Sequence, residues 1–363
     1  FLKNSAVGHY APKIAKSQKF FMGIAAMAAL TLVSCSSDDL NSLSDNSSKN
    51  EAISFDGYLG RSAVAVNGTR GSVETKEKLK TDGFGVFSTY TGDDQSSFPN
   101  FDNQKVTCPG TKWTYSPLKF WPTQGKIDFL AYAPYNYDGT NTTLTGTSIG
   151  FKVDNKVGNQ KDLLWANAKD QTKENISSTG NKVKFQFAHA LSRLGYTVKL
   201  YEDDPSNATF TLKKITLAGS ADGNTGTFYT EGTIDLSKTT STDLWNASGK
   251  QKFDWDYSDS NKQLTKTGIK NGDSEYLFVI PQDFTIAENT LYVIVEYDIK
   301  YKNIEAPITN KVYKQLTNIK FEQGKAYTIN LTIGLPIEFD ADVTDWTNTT
   351  DNKNTDINID SWE

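Results

Sequence analysis

The sequence predicts an all-β protein, built as two tandem antiparallel β-sandwiches behind a lipoprotein signal peptide. Three observations carry the β assignment. Beyond residue 50 apolar residues recur every second position, as in Leu291, Val293, Val295, Tyr297 and Ile299, the pattern of a strand with one buried face. Glycine pairs punctuate these runs at Asp56-Gly57, Asn67-Gly68, Asp82-Gly83, Asp138-Gly139, Asp222-Gly223 and Asn271-Gly272, where a tight hairpin turn needs positive φ. No long stretch beyond residue 50 carries a 3.6-residue period, and short helical turns are expected only around 237–245. The 38 Lys and Arg against 43 Asp and Glu leave a net charge of −5, without the basic stripe that a nucleic-acid partner wants.

Taken in order, the first element is the leader, residues 1–35. Lys13, Lys16 and Lys19 precede an apolar run from Phe20 to Val33 that ends in Ser34 and Cys35. At 1.5 Å per residue such a run reaches roughly 20 Å against a hydrocarbon core of roughly 30 Å, so it reads as a secretory signal, not a spanning helix. Leu32, Val33, Ser34 and Cys35 resemble a bacterial lipobox, which implies acylation of Cys35 and a hold on outer-membrane lipid. Ser36, Ser37, Asp38 and Asp39 resemble the acidic export signal of surface lipoproteins of Bacteroidota. Residues 36–50 are too polar to repay ordering entropy and are expected to form a flexible tether.

The strands follow. The first is expected over residues 52–58 and the next over 84–88. Val183, Phe185, Phe187 and His189 share one phase, and Leu194, Tyr196, Val198 and Leu200 another. A charged, Pro-containing link at 202–207 places an N-terminal sandwich at 51–204 and a C-terminal one at 205–346. The later strands are the run through Leu291 and those through Tyr327, Ile329, Leu331 and Ile333 and through Ile337, Phe339, Ala341 and Val343. In the polar tail, 347–363, Ile357 and Ile359 alternate with Asp356, Asn358 and Asp360 and make a short candidate donor strand.

Catalytic chemistry finds no foothold, and neither an enzyme nor a cofactor is expected. Beyond the leader the only histidine is His189, whose phase points it to the core or its rim, where a backbone hydrogen bond would satisfy it. Cys108 stands alone beyond Cys35, in the turn Thr107-Cys108-Pro109-Gly110, which leaves the mature chain no internal disulfide and no cluster of zinc ligands. Gly125-Lys126, Gly249-Lys250 and Gly324-Lys325 lack phosphate-loop spacing. Asn352, Asn354, Asp356, Asn358, Asp360 and Glu363 in the tail fall at calcium-loop spacing, but Ile357 occupies the position that needs glycine. The seven tryptophans are suited to half-buried strands, and the alternative use for exposed aromatics is a sugar platform.

Several segments together resemble the fimbrillin family of Bacteroidota, the lipoprotein pilins and related surface subunits. Ile127 to Tyr135 is similar to the family's "AYAPY" strand, and Asp162-Leu163-Leu164-Trp165-Ala166 to the segment after it. Phe187-Ala188-His189-Ala190-Leu191 with Arg193-Leu194 resembles its "F-HALS-L" motif, and Tyr276 to Gln282 its "IPQ" strand. Gly324 to Tyr327 and Val343 to Trp346 resemble the closing pair of strands. The resemblance implies two transthyretin-like sandwiches, a surface location, adhesion, and a structural role without catalysis. It also implies maturation by a trypsin-like protease that cuts after an arginine, removing anchor and first strand together. A strand from a neighbouring fimbrial subunit then fills the vacated groove. Arg61 and Arg70 lie between the first two expected strands, Arg70 in the exposed-looking turn Asn67-Gly68-Thr69-Arg70, while Arg193 lies within a strand. The other reading left open is a non-polymerising surface lipoprotein that binds glycan or host ligand, and an anchor or tip subunit is a third arrangement.

Overall fold

The computed structural model describes residues 51–59, 76–136, 143–202, 208–240, 243–334, 339–341, 344–345 and 355–359. The leader, the lipobox with Cys35, the export signal, the tether and both Arg61 and Arg70 lie outside the described residues.

The strands of the first part are β1 Phe55–Leu59, β2 Phe84–Thr91, β3 Gln104–Val106, β4 Lys126–Ala133, β5 Ser148–Lys152, β6 Leu164–Gln171, β7 Val183–His189 and β8 Ser192–Leu200. Next come β9 Ala208–Ala218, β10 Glu231–Asp235, β11 Trp245–Ser248, β12 Phe253–Asp256, β13 Lys262–Leu264, β14 Ile269–Lys270, β15 Leu277–Val279 and β16 Gln282–Asp283. The remainder are β17 Leu291–Tyr301, β18 Ile308–Leu316, β19 Lys320–Phe321, β20 Lys325–Ile333, β21 Phe339–Ala341, β22 Thr344–Asp345 and β23 Thr355–Ile359.

A six-stranded sheet runs β1-β7-β6-β4-β2-β3, and its faces explain its composition. Along β4, Ile127, Phe129, Ala131 and Ala133 enter one core, while Leu130 and Tyr132 enter the other, so the strand reads as an apolar run and not an alternation. The first core is aromatic and lies beneath β1, with Phe55, Phe84, Phe101, Phe129, Phe185 and Phe187 all buried. The second core is larger and continuous from Phe87 to Ile333, passing beneath the sheets β12-β9-β17-β18 and β14-β8-β20-β23-β21. Leu194, Tyr196, Val198 and Leu200 are all buried in it, as their period of two predicts.

Several features differ from the sequence reading. Most pairs are antiparallel, but β1 with β7, β8 with β20 and β20 with β23 run parallel, each joining strands remote in sequence. Of the expected link at 202–207 only Glu202 is described. β8, which precedes that link, pairs along its length with β20, and β5 pairs with β10, so hydrogen bonding runs across it. Asp82-Gly83 is not a hairpin turn. It ends a seven-residue helix, α1 Lys76–Asp82, where Gly83 at φ +75° donates its N–H to the Leu79 carbonyl at 2.9 Å. The left-handed conformation that a hairpin turn needs also closes a helix, which is why the pair misleads. Asp56-Gly57 lies inside β1, and the described part of 237–245 holds turns without a helix.

Candidate assembly groove under the first strand

The first strand is a short comb. Ile53 and Phe55 are 1% and 3% exposed, and Gly57 and Leu59 continue the same phase at partial exposure. Phe55 sits in an aromatic box, its ring centroid 5.3 Å from Phe101, 5.5 Å from Tyr115, 5.4 Å from Phe129 and 5.6 Å from Phe185. Gly57 is required by contact, not by turn geometry. A Cβ there would lie 2.9 Å from the end of the Phe84 ring, so alanine fits only with a small ring shift and larger residues do not fit.

Backbone pairing holds the strand on two sides. Phe55 to Leu59 run parallel to Val183 to Phe187, with Asp56 opposite Lys184 and Tyr58 opposite Gln186. At the other end, Ile53 donates to the Lys119 carbonyl at 2.8 Å and Trp121 donates to the Glu51 carbonyl at 3.1 Å. Tyr115 fastens this end, its hydroxyl donating to the Ile53 carbonyl at 2.7 Å. Burial pushes the Tyr115 hydroxyl up to about 12, so it stays a donor throughout the physiological range.

Asp56, on the opposite phase from the comb, is the strand's carboxylate, and only 5% of it is exposed. Burial raises its carboxyl above the ordinary value, opposed by Lys182 and Lys184, the Gly57 amide and the Trp113 side chain. A second buried ionic cluster lies at the junction of β7 and β8. His189 Nδ1 stands 2.6 Å from Asp162 Oδ2, and the Arg193 guanidinium packs over the Tyr276 ring at 4.4 Å. His189 is thus buried in the expected phase, and its Nδ1 meets the Asp162 carboxylate. Arg193 is 8% exposed within β8, out of a protease's reach. Cys108 is buried, and among the described residues no group of three or more His, Cys, Asp or Glu is placed to hold a metal ion.

The tail strand is not free. β23 runs parallel to β20, with Ile357 opposite Ile329 and Ile359 opposite Leu331, and antiparallel to β21 on its other side. The sequence singled out Ile357 and Ile359 but missed the groove residues Tyr115, Phe101 and Trp113. These lie in irregular segments, and the signal that could have found them is the density of aromatics between residues 98 and 121.

The fimbrillin-like family profile matches residues 69–346. Fimbrium subunit Fim1C of Phocaeicola vulgatus is 29% identical over 393 aligned positions, covering 92% of this chain and 97% of its own length. The crystal structure of a fimbrial protein from Bacteroides vulgatus superposes with a TM-score of 0.54 at 20% identity, covering 82% of this chain and all of that one. A candidate cell adhesion protein from Bacteroides uniformis aligns at 17% identity with a TM-score of 0.45, over 82% of this chain and 99% of its own. With the family profile spanning most of the chain, and a β fold shared with a fimbrial protein, the chain belongs to the fimbrillin-like family.

Proposed function

We propose that the chain is a structural subunit of surface fimbriae, exported as a lipoprotein acylated at Cys35 and matured by a trypsin-like protease. Cleavage after Arg70 or Arg61 separates the first strand from the rest of the chain, and a C-terminal segment of a neighbouring subunit replaces it. Fibres built this way would project from the outer membrane and support adhesion.

The observation that carries this reading is the way β1 is held. It forms one edge of its sheet, is pinned by Ile53 and Phe55, and is followed in sequence by residues 60–75 before α1. The intervening stretch contains two of the three arginines of the chain, and the third is buried. Burying a phenylalanine or isoleucine is worth roughly 1.5–3 kcal/mol each, so a vacated groove would expose an apolar cleft beside an unpaired edge of β7. A strand from another subunit satisfies both needs at once, the backbone ladder supplying affinity and the side-chain pockets selectivity.

The test is digestion of the full chain with an arginine-specific protease, followed by intact mass and size-exclusion chromatography. A cut after Arg70 or Arg61 accompanied by a ladder of oligomers is expected. A fully cut protein that stays monomeric at high concentration would overturn the strand-exchange reading.

A further inference from the structure

The three-stranded sheet β11-β10-β5 turns one face to the core and the other to solvent. Ile149, Phe151 and Ile234 point inward and are buried. Alternation therefore puts Gly150 and Lys152 of β5, Glu231 and Thr233 of β10, and Asn246 and Ser248 of β11 on the outer face. Register sorts these into two rows. Lys152, Glu231 and Ser248 lie abreast in one, and Gly150, Thr233 and Asn246 in the next. Gly150 has no side chain to raise its row, and a depression of about 440 Å³ lies over the two rows. A second cavity of about 670 Å³ continues past Lys152 and Glu231 to Asp154, Asn155, Thr230 and Gln251. The two share Lys152 and Glu231 and make one polar trough.

The lining offers hydrogen bonds of both kinds. Asp154 and Glu231 accept, Lys152 donates, and Thr233, Asn246 and Ser248 do both. Asp154 is held in place: its Oδ1 accepts from the Lys156 N–H at 2.8 Å, and its carbonyl accepts from Gln160 Nε2 at 3.0 Å. Gln251 lines the same end, and its Nε2 is buried with no hydrogen-bond partner among the described residues. An orphaned amide costs stability, and the cost is relieved when the amide turns towards an acceptor held in the cavity. The apolar side chains of the lining, Phe151 and Val153, are 3% and 4% exposed, and Phe151 packs on Trp245. A peptide side chain thus finds no apolar pocket here, and an aromatic stacking platform is likewise lacking among the described lining residues. Two carboxylates against one lysine disfavour an acidic ligand.

We propose that the trough binds a neutral oligosaccharide, whose hydroxyls donate and accept alike and so match a floor of mixed donors and acceptors. Gln251 and Asp154 hold one sugar unit, and Thr233 and Asn246 hold a second, on either side of Lys152 and Glu231. Without a stacking platform the dissociation constant of a single trough is on the order of a millimolar. A fibre presents the trough once in every subunit, and repetition along it turns weak contacts into a firm hold. The trough is built from β5, β10 and β11, none of which pairs with β1. The inference therefore applies to the uncut chain and does not depend on strand exchange.

The test is saturation-transfer NMR on the full chain with maltotriose, mannotriose, galactotriose and chitotriose, and with sialyllactose as the acidic probe. Transfer to at least one neutral trisaccharide is expected. Thr233→Arg, which fills the floor, and Gln251→Met, which removes the donor, should each raise its dissociation constant about tenfold. Thr209→Arg, exposed on β9 in another sheet, should leave it unchanged. Gln251→Met puts an apolar chain of similar shape where an orphaned donor stood, so it should melt no lower than the parent while losing the sugar. That combination separates a binding role from a folding one. Transfer that survives both trough variants, a preference for sialyllactose over all four neutral sugars, or no transfer to any of the four would overturn the proposal.

Discussion

At the scale of single residues, Asp56 sets how firmly the first strand is held. A strand that only had to stay in place would carry an apolar or neutral residue there, since a carboxylate loses hydration on burial and Lys182, Lys184 and Trp113 restore only part of it. The sign of the pH effect follows from the raised carboxyl. Below the ordinary value of 3.8 the group is protonated in both folded and unfolded chains and contributes nothing. As pH rises, the unfolded chain releases this proton first, so the contribution turns destabilising and remains so at neutral pH. Asp56→Asn is therefore expected to melt above the parent at pH 7, with the gap closing as pH falls towards 3.8. A gap that widens on acidification would show that the lysine pairs outweigh burial. Other carboxylates shift oppositely, as Asp256 does at about 2, where the hydroxyl of Ser258 is the leading cause, so the comparison must be made between variants and not along one profile.

At the scale of elements, the first strand is defined as much by what clasps it as by its own sequence. The pairing of 51–53 with 119–121 comes from an irregular segment, and Tyr115 ties that segment to the strand through the Ile53 carbonyl. Tyr115→Phe keeps the ring beside Phe55 and removes the hydroxyl, which leaves the Ile53 carbonyl short of a donor. A loss of about 0.5–1.5 kcal/mol is expected, read as faster hydrogen exchange across 53–59 and faster release of the strand after cutting. The strands themselves were legible because their periods are clear: Leu194, Tyr196, Val198 and Leu200, and Leu291, Val293, Val295 and Tyr297, recur every second position and are all buried, with Gly195 and Ile294 between them buried as well. The helix Lys76–Asp82 was not, since seven residues with one buried side chain, Leu79, are too few to show a 3.6-residue period. The parallel partners of β1 and β8 were equally hidden, because a pairing between residues 55 and 183 leaves no local mark. Of the groove, the sequence shows the comb of Ile53 and Phe55 but not its walls, which come from four separate segments that only the fold assembles.

At the scale of the whole molecule, the six-stranded sheet is shared between the two cores, Phe129 and Phe185 facing one and Leu130 and Tyr132 the other. Emptying the groove therefore removes apolar contacts from one face of a sheet whose opposite face supports the rest of the chain. The aromatic core under β1 should loosen first, while the larger core, continuous from Phe87 to Ile333, holds to a higher temperature. Cut protein kept too dilute to assemble is accordingly expected to melt in two steps where the uncut chain melts in one. A synthetic peptide of residues 51–60 should return to the groove, restore the single transition and suppress oligomers, because peptide and donor compete for one site. Peptide at about 100 times its dissociation constant would stabilise the cut protein by about 2.7 kcal/mol. The same peptide with Gly57→Leu cannot pass Phe84 and should do neither. Restoration by that variant, or a single transition in the strand-free protein, would mean that the first strand is peripheral to the fold and that its removal opens no groove for a neighbouring subunit to fill.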